Sequence, residues 1–368
     1  MATDGARVRG LVEPQPATSR SAALDLLRVV AILGVVAIHV FGGIVSNQDI
    51  RGSVTWWAAA AADLGNVWVV PAFVMVSGAL LLGPRTVELG PSAFYRKRLL
   101  RLGPAFVGWQ LFYLLVVRVG MSHQQLGVGG MLQLIVDGKT YTHLYFLWLI
   151  VGLYAVAPIL AAFLNQGGQR RAVIFAVAVL VATLLVYSLA GLSALHGSPR
   201  PIVLSALTQW VPYVGYFLIG WALRNVVLSR LWTVIVAAVT ALLLVEIVWQ
   251  YGIAPRAATL QAIAPVSYIG AVVALATIGI FLVTQGWMSR IVLSDRAARR
   301  LKTLSAASFG TFLIHFFFLI LAEVLFPGIV APLSTSFWTA LLVWAGVAIV
   351  SFAVSMVALR IPYLRRFF

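Results

Sequence analysis

The sequence predicts an all-α membrane protein, a bundle of about ten transmembrane helices. Of its 368 residues, 62% are hydrophobic and 10% are charged, whereas a soluble domain carries about 25% charged residues. Apolar runs of about twenty residues, the length that crosses ~30 Å of hydrocarbon, recur from Leu24 to the C-terminus. The runs lack the alternation of polar and apolar residues that is typical of barrel strands. Because every backbone polar group must be paired in lipid, the runs are predicted to be helices.

Ten segments follow this pattern in order along the chain. They are 24–45, 66–83, 99–119, 143–164, 172–192, 204–223, 231–251, 265–284, 304–326 and 337–359. The apolar stretch 54–62 either lengthens the second helix or lies in the membrane interface. Residues 1–21 are polar and contain Pro14 and Pro16, so we expect a flexible cytoplasmic tail followed by one membrane domain, residues 22–368.

The placement of basic residues predicts how the chain is inserted. The sequence has 26 Lys and Arg against 10 Asp and Glu, a net charge of +16, which a nucleic-acid-binding protein could also carry. With the N-terminus in the cytoplasm, most of these residues fall in cytoplasmic loops, and those left on the other side are Arg51, Arg118, Lys139, Arg200 and Arg256. This positive-inside bias predicts a multi-pass protein of the cell membrane with both termini in the cytoplasm, and no nucleic-acid partner. The sequence has no cysteine, so it offers no disulfide or thiolate metal ligand.

Ionisable residues in the first predicted helix are the leading candidates for a functional site, because charge is costly in a bilayer. Arg28 and His39 are eleven residues apart, which places them on one helix face about 16 Å apart along the axis. Asp25 precedes Arg28 by three positions and either shares that face or simply begins the helix. Arg28 could also be a topology charge, whereas a neutral imidazole deep in the bilayer is suited to accept a proton from an alcohol.

Further polar residues lie near both ends of the predicted helices. Arg98 and Arg101 are three residues apart at the start of the third helix, where they either set topology or bind phosphate groups on the cytoplasmic side. Toward the outer side the polar residues are Asp63, His143, Tyr145, Glu246, His315 and Glu323. Each could be a satisfied core group, but together they predict a polar, aromatic-lined cavity open to the outer face, which would suit a sugar.

Five segments in this order resemble the type-three integral-membrane acyltransferase family. The family's hallmark is a basic residue, ten intervening residues and a histidine in the first helix, here Arg28 to His39. The other segments are Phe73 to Ser77-Gly78, Arg96 to Arg101 with Pro104, His143 to Leu147, and Phe312 to His315. The resemblance covers residues 22–365, although Ser77-Gly78 by itself is also typical of close helix packing.

This resemblance implies a membrane O-acyltransferase. Such an enzyme moves an acyl group, usually acetyl, from cytoplasmic acyl-CoA to a hydroxyl of an extracytoplasmic carbohydrate or lipid-linked glycan. Acyl-CoA is then a co-substrate, with no permanently bound cofactor and no metal. The implied catalytic residues are His39 as general base and Arg28, and the implied acyl-CoA-binding residues are Arg28, Arg98, Arg101 and Ser77. The acceptor would be bound or oriented by His143, Tyr145, Glu246, Glu323, His315 and Asp63.

A proton-coupled transporter or flippase of a glycolipid or sugar is the alternative, with His39 and the glutamates as a proton relay. Transporters often contain two related halves with helices broken at matching positions. Pro71 and Pro158 interrupt predicted helices here, but the sequence shows no corresponding halves, so the enzyme is favoured. Direct transfer and transfer through an acyl-histidine both stay open, as does the choice of carboxylate that orients the imidazole.

Overall fold

The computed structural model describes residues 17–368, with side chains from Ala22 onward apart from that of Pro255. The α-helices are α1 Ala17–Ser46, α2 Val54–Leu64, α3 Val69–Leu81, α4 Pro84–Leu89, α5 Pro91–Leu111, α6 Val128–Val136, α7 Tyr145–Gln166, α8 Gly168–Leu195, α9 Val214–Leu223, α10 Arg230–Gly252, α11 Ala258–Ile263, α12 Ala271–Met288, α13 Asp295–Leu325, α14 Pro327–Val330 and α15 Phe337–Ala358. A π-helical stretch, Phe112–Met121, continues α5, and a 3₁₀ turn, Val211–Tyr213, precedes α9.

Within residues 17–368, nine helical segments are long and apolar enough to cross a membrane, and a tenth apolar helix, Val211–Leu223, is shorter. The chain is therefore a polytopic all-α membrane protein, as the sequence predicts. Arg28 near the start of α1 and Arg365 near the end of the chain line one cavity. These two parts of the chain thus lie at the same end of the bundle, which we call the arginine end.

The N-terminal helix begins earlier than predicted. The predicted tail covers residues 1–21, but α1 already begins at Ala17, and residues 1–16 lie outside the described part of the chain. Asp25 is therefore well inside α1, so its carboxylate does not begin the helix. The stretch 54–62 forms α2, which joins α3 in the single apolar span Val54–Leu81, so it lengthens the second span.

The sixth and eighth predicted helices begin late. The sixth, predicted from residue 204, is helical only from Val211, because the Ser205 N–H donates to Thr208 Oγ1 over 2.9 Å and Pro212 fixes φ at the helix start. The eighth, predicted from residue 265, begins at Ala271 after a turn closed by the Gly270 N–H donating to the Ser267 carbonyl. Hydropathy detects apolar residues but not these turns.

Two other helices extend further toward the N-terminus than their apolar runs. α13 begins at Asp295 instead of residue 304, because Ser294 Oγ accepts the Ala297 N–H over 3.3 Å and caps the helix. α5 begins at Pro91 instead of residue 99, with proline in its favoured first-turn position. The basic run 96–101 is consequently helical, which fixes the directions in which its side chains point.

α1 lies at the centre of the bundle. It packs against α2, α3, α12, α13 and α15. Its side chains Ala31, Ile32, Val36, Val40 and Ile44 are almost completely inaccessible. Because α1 carries both Arg28 and His39, its neighbours determine what surrounds these two side chains.

α3 and α9 approach each other through paired glycines. A Cβ atom built on Gly78 would overlap the backbone oxygen of Phe217, and one built on Gly220 would overlap that of Met75. Small residues allow membrane helices to come this close. The packing role that the sequence suggests for Ser77-Gly78 is therefore confirmed at Gly78.

We expect Gly78→Ala to lower the free energy of unfolding by about 1–3 kcal/mol, because the added methyl group forces α3 and α9 apart. Thermal unfolding of the purified protein in detergent measures the change. Gly346→Ala on α15 is the matched control, since its Cβ would meet nothing within 4 Å and alanine favours a helix. Equal stability of the two variants would contradict the close contact.

Candidate functional site

A cavity of about 540 Å³ lies at the arginine end of the bundle. It is lined by parts of α1, α3, α5, α7 and α13 and by the last residues of the chain. Its lining includes Arg28 of α1, Ser77 of α3, and Arg98 and Arg101 of α5. The structure thus brings together the four residues that the sequence assigns to one ligand.

Arg98 is held between two aromatic rings of the cavity wall. Its Cζ lies 5.3 Å from the ring centroid of Phe94 and 5.5 Å from that of Tyr154. These contacts restrict the guanidinium plane. Arg98 Nε is buried without a hydrogen-bond partner among the described residues, so it retains an N–H group for an anion.

The basic run at the start of α5 divides between two faces. Arg98 and Arg101 line the cavity, whereas Arg96 and Lys97 line a separate surface groove with Pro91. The three-residue spacing places the first pair on one side of the helix. Only part of this run is therefore available to a ligand in the cavity.

Two serines connect the cavity wall to neighbouring groups. Ser305 Oγ of α13 donates a 2.6 Å hydrogen bond to Asp25 Oδ1, which fixes a carboxylate beside the cavity. Ser77 Oγ donates to the Phe73 carbonyl over 2.9 Å. Because its proton is used in this way, the Ser77 oxygen can act only as an acceptor toward the cavity.

Two phenylalanines form the inner end of the cavity. The rings of Phe146 and Phe312 are 5.3 Å apart between centroids, and Val35 of α1 also lines this region. The Phe312 ring also lies 5.3 Å from that of His143, between centroids. We call Phe146 and Phe312 the aromatic floor, because they separate the cavity from a group of histidines.

Beyond the floor, His39, His143 and His315 form a cluster. The His315 ring centroid lies 5.4 Å from that of His39 and 5.0 Å from that of His143. Phe316 contacts all three rings, at 4.4 to 5.2 Å between centroids. His143 and His315 are buried, whereas His39 is only partly buried, so His39 is the most accessible of the three residues.

The hydrogen bonds of the two buried histidines fix which nitrogen carries a proton. His315 Nδ1 lies 2.7 Å from the Phe312 carbonyl and His143 Nε2 lies 3.3 Å from the Leu313 carbonyl. A carbonyl only accepts, so these nitrogens donate. The other nitrogens, His315 Nε2 and His143 Nδ1, are buried without partners in the described structure. Each can accept a hydrogen bond from a hydroxyl group.

The three predicted acceptor carboxylates lie on three different helices. A Cβ atom on Gly42, three residues after His39 on α1, would lie 3.6 Å from Asp63 Oδ2, so Asp63 is close to this part of α1. Glu246 is half-buried on α10, which packs mainly on α12 and α2. Glu323 is exposed on α13.

Tyrosines lie beside the cluster and in the adjoining core, and the sequence identified only Tyr145 among them. Tyr145 has a buried hydroxyl next to Tyr213 and Tyr268. Tyr113 lies 4.8 Å from the His143 ring and Tyr141 lies 5.8 Å from it, between centroids. Burial raises the pKa of the Tyr141 hydroxyl, an effect that Arg118 partly opposes, so this hydroxyl is a neutral donor. The density of aromatic residues around positions 112–113 and 141–148 is the sequence feature that could have indicated these neighbours.

The cavity wall also contains residues that the sequence did not identify. Tyr154, Ser305, Arg365 and Phe368 all line it. The sequence predicts only a topology role for Arg365, as one of the basic residues expected on the cytoplasmic side. The contacts of these residues join segments that are far apart along the chain, so no local pattern indicates them.

The fold and the site define a polytopic membrane protein with an arginine-lined cavity at one end and a histidine cluster beneath it. The model of the acyltransferase 3 family, an acyltransferase domain, matches residues 21–360. The chain belongs to this family, so it is a membrane acyltransferase, and the resemblance that the sequence motifs indicate is confirmed. Comparison with curated proteins and with solved structures gives no match.

We expect Ser77→Cys to react with a small water-soluble thiol reagent, because Ser77 lines the cavity. The chain has no cysteine, so labelling detected by mass spectrometry reports this position alone. Ser351→Cys is the control, since Ser351 is completely buried and should stay unlabelled. Equal labelling of the two variants in the folded protein would contradict an accessible cavity.

Proposed function

We propose that the protein is an O-acyltransferase that moves an acetyl group from acyl-CoA to a hydroxyl of a carbohydrate or lipid-linked glycan. The observation that carries this proposal is the order of groups along one cavity. Arg28, Arg98 and Arg101 line it, and the aromatic floor closes it beside His143, a member of the histidine cluster that includes His39. Acyl-CoA has the same order, since it carries phosphates at one end, a long thin pantetheine arm, and a thioester at the other end.

In this proposal the three guanidinium groups bind the phosphates of the donor, because their planar N–H groups match phosphate oxygens. The Ser77 oxygen, which is restricted to accepting, receives an amide N–H of the pantetheine arm. The thioester then reaches the aromatic floor. We propose acetyl as the acyl group, because a small group requires little space beside the Phe146 and Phe312 rings, whose centroids are 5.3 Å apart.

His39 acts as the general base in the proposed reaction. Its neutral imidazole removes the proton of the acceptor hydroxyl, whose oxygen attacks the thioester carbonyl carbon. A C–O bond forms, the C–S bond breaks, and CoA leaves as a thiolate, which takes up the proton held by the His39 imidazolium. The His315 ring packs on that of His39 and the His143 ring packs on that of His315, so these two residues orient the His39 imidazole toward the acceptor. Of the predicted carboxylates, we assign the orientation of His39 to Asp63, because it lies beside α1.

The proposed orientation follows from the basic residues. With the positive-inside bias, the arginine end faces the cytoplasm, where acyl-CoA is supplied, and the acceptor approaches His39 from the other side of the cell membrane.

The test of the proposed function is incubation of the purified protein with radiolabelled acetyl-CoA and a crude glycan extract. Label should appear in the glycan fraction. Its absence would overturn the proposed transfer of acetyl to a carbohydrate hydroxyl.

We expect His39→Ala to reduce acetyl transfer by about 10²- to 10⁴-fold, because the hydroxyl then lacks its general base. The rate of label transfer at saturating acetyl-CoA measures the loss. His196→Ala is the matched control, since His196 is exposed and lies outside the histidine cluster, and it should transfer at the wild-type rate. Undiminished transfer by a folded His39→Ala protein would refute the assignment.

We expect Arg98→Ala and Arg28→Ala to raise the KM for acetyl-CoA by about tenfold or more, because each removes a charged donor to phosphate. Initial rates over a range of acetyl-CoA concentrations give the KM. Arg96→Ala belongs to the same basic run but lines a different groove, so its KM should match that of the wild type. A KM unchanged in all three variants would show that the phosphates bind elsewhere.

A further inference from the structure

We propose that the C-terminal segment 364–368 forms the outer wall of the donor cavity and that Arg365 binds the 3′-phosphate of CoA. The inference rests on the proposed use of acyl-CoA and extends it to residues that the family match does not cover, since that match ends at residue 360. Arg365 and Phe368 line the same cavity as Arg28, Arg98 and Arg101.

The segment is seated on the bundle by specific contacts. Trp109 Nε1–H of α5 donates to the Phe367 carbonyl over 2.7 Å, and the Phe368 ring lies 5.4 Å from the Trp109 ring between centroids. A Cβ atom on Gly108 would lie 2.7 Å from Phe367 Cδ1, and one on Gly310 would lie 2.6 Å from Phe368 Cδ1. Two glycines thus leave the space that the two phenylalanine rings occupy.

Arg365 adds a fourth guanidinium group to the cavity. Acyl-CoA carries a diphosphate and, on the ribose, a separate 3′-phosphate, so its charged part extends over more than one phosphate site. Three arginines from α1 and α5 and a fourth from the C-terminal segment surround this space from different sides. Guanidinium groups placed in this way fit a ligand with separated phosphates better than a single phosphate.

The exposure of each arginine indicates which phosphate of the donor it contacts. Arg28 is half-buried on the central helix, whereas Arg101 and Arg365 are exposed. With the thioester at the aromatic floor, the diphosphate is the nearer charged group and the 3′-phosphate lies further out. Arg365 therefore pairs with the 3′-phosphate, and Arg28 with the diphosphate.

The test compares two donors on three forms of the full chain. Binding of acetyl-CoA and of 3′-dephospho-acetyl-CoA is measured for the wild type, Arg365→Ala and Arg366→Ala in detergent. Arg366 is the adjacent exposed arginine, and it does not line the cavity. We expect Arg365→Ala to weaken acetyl-CoA binding by about three- to tenfold and to leave binding of the dephospho donor unchanged. Arg366→Ala should behave as the wild type with both donors.

The possible failures are distinguishable. If the wild type binds and transfers acetyl but Arg365→Ala matches Arg366→Ala, the inference is overturned and the proposed function stands. Tighter binding by Arg365→Ala would also overturn it, because the segment would then block the cavity instead of forming its wall. A wild type that neither binds acetyl-CoA nor transfers its acetyl group would overturn the proposed function together with the inference. Arg365→Lys, which keeps the charge without the planar group, should restore part of the lost affinity.

Discussion

The burial of α1 is the interaction on which the rest of the structure depends. Five helices pack around it, so Arg28 and His39 are held on one rigid element about 16 Å apart. A charged group in hydrocarbon is costly, and the bundle meets this constraint by turning Arg28 toward an internal cavity and by pairing Asp25 with Ser305. The separation of Arg28 and His39 along α1 is therefore fixed as long as α1 stays helical.

Local periodicity explains which parts of the site the sequence could predict. The spacings between Arg28 and His39 and between Arg98 and Arg101 each fix a shared helix face, so these pairs follow once the segments are helical. The Asp25–Ser305 bond joins residues 280 positions apart, and no pattern along the chain indicates it. The ends of the helices depend on turns and caps, and therefore the apolar runs misplaced α9, α12 and α13 at their N-termini.

The polar residues predicted on the outer side show a second limit of what the sequence can predict. Hydropathy gives the approximate depth of a residue in the membrane, but packing decides the direction in which each helix turns its side chains. The rings of His143 and His315 form one cluster with that of His39, whereas Glu246 lies on α10, which packs on α12 and α2. A group of polar residues at one depth therefore predicts a site at that level without identifying all of its members.

The route from the cavity to the histidine cluster follows two packed helices with the same spacing. Along α1 it passes Arg28, Val35 and His39, at positions i, i+7 and i+11. Along α13 it passes Ser305, Phe312 and Phe316, again at i, i+7 and i+11. Residues with this spacing keep to one face of a helix, and the two helices pack on each other. Each helix therefore contributes one polar residue to the cavity, one apolar residue to its inner end and one ring to the cluster. In the proposed reaction, a thin donor arm that follows this shared seam would meet these three layers in order.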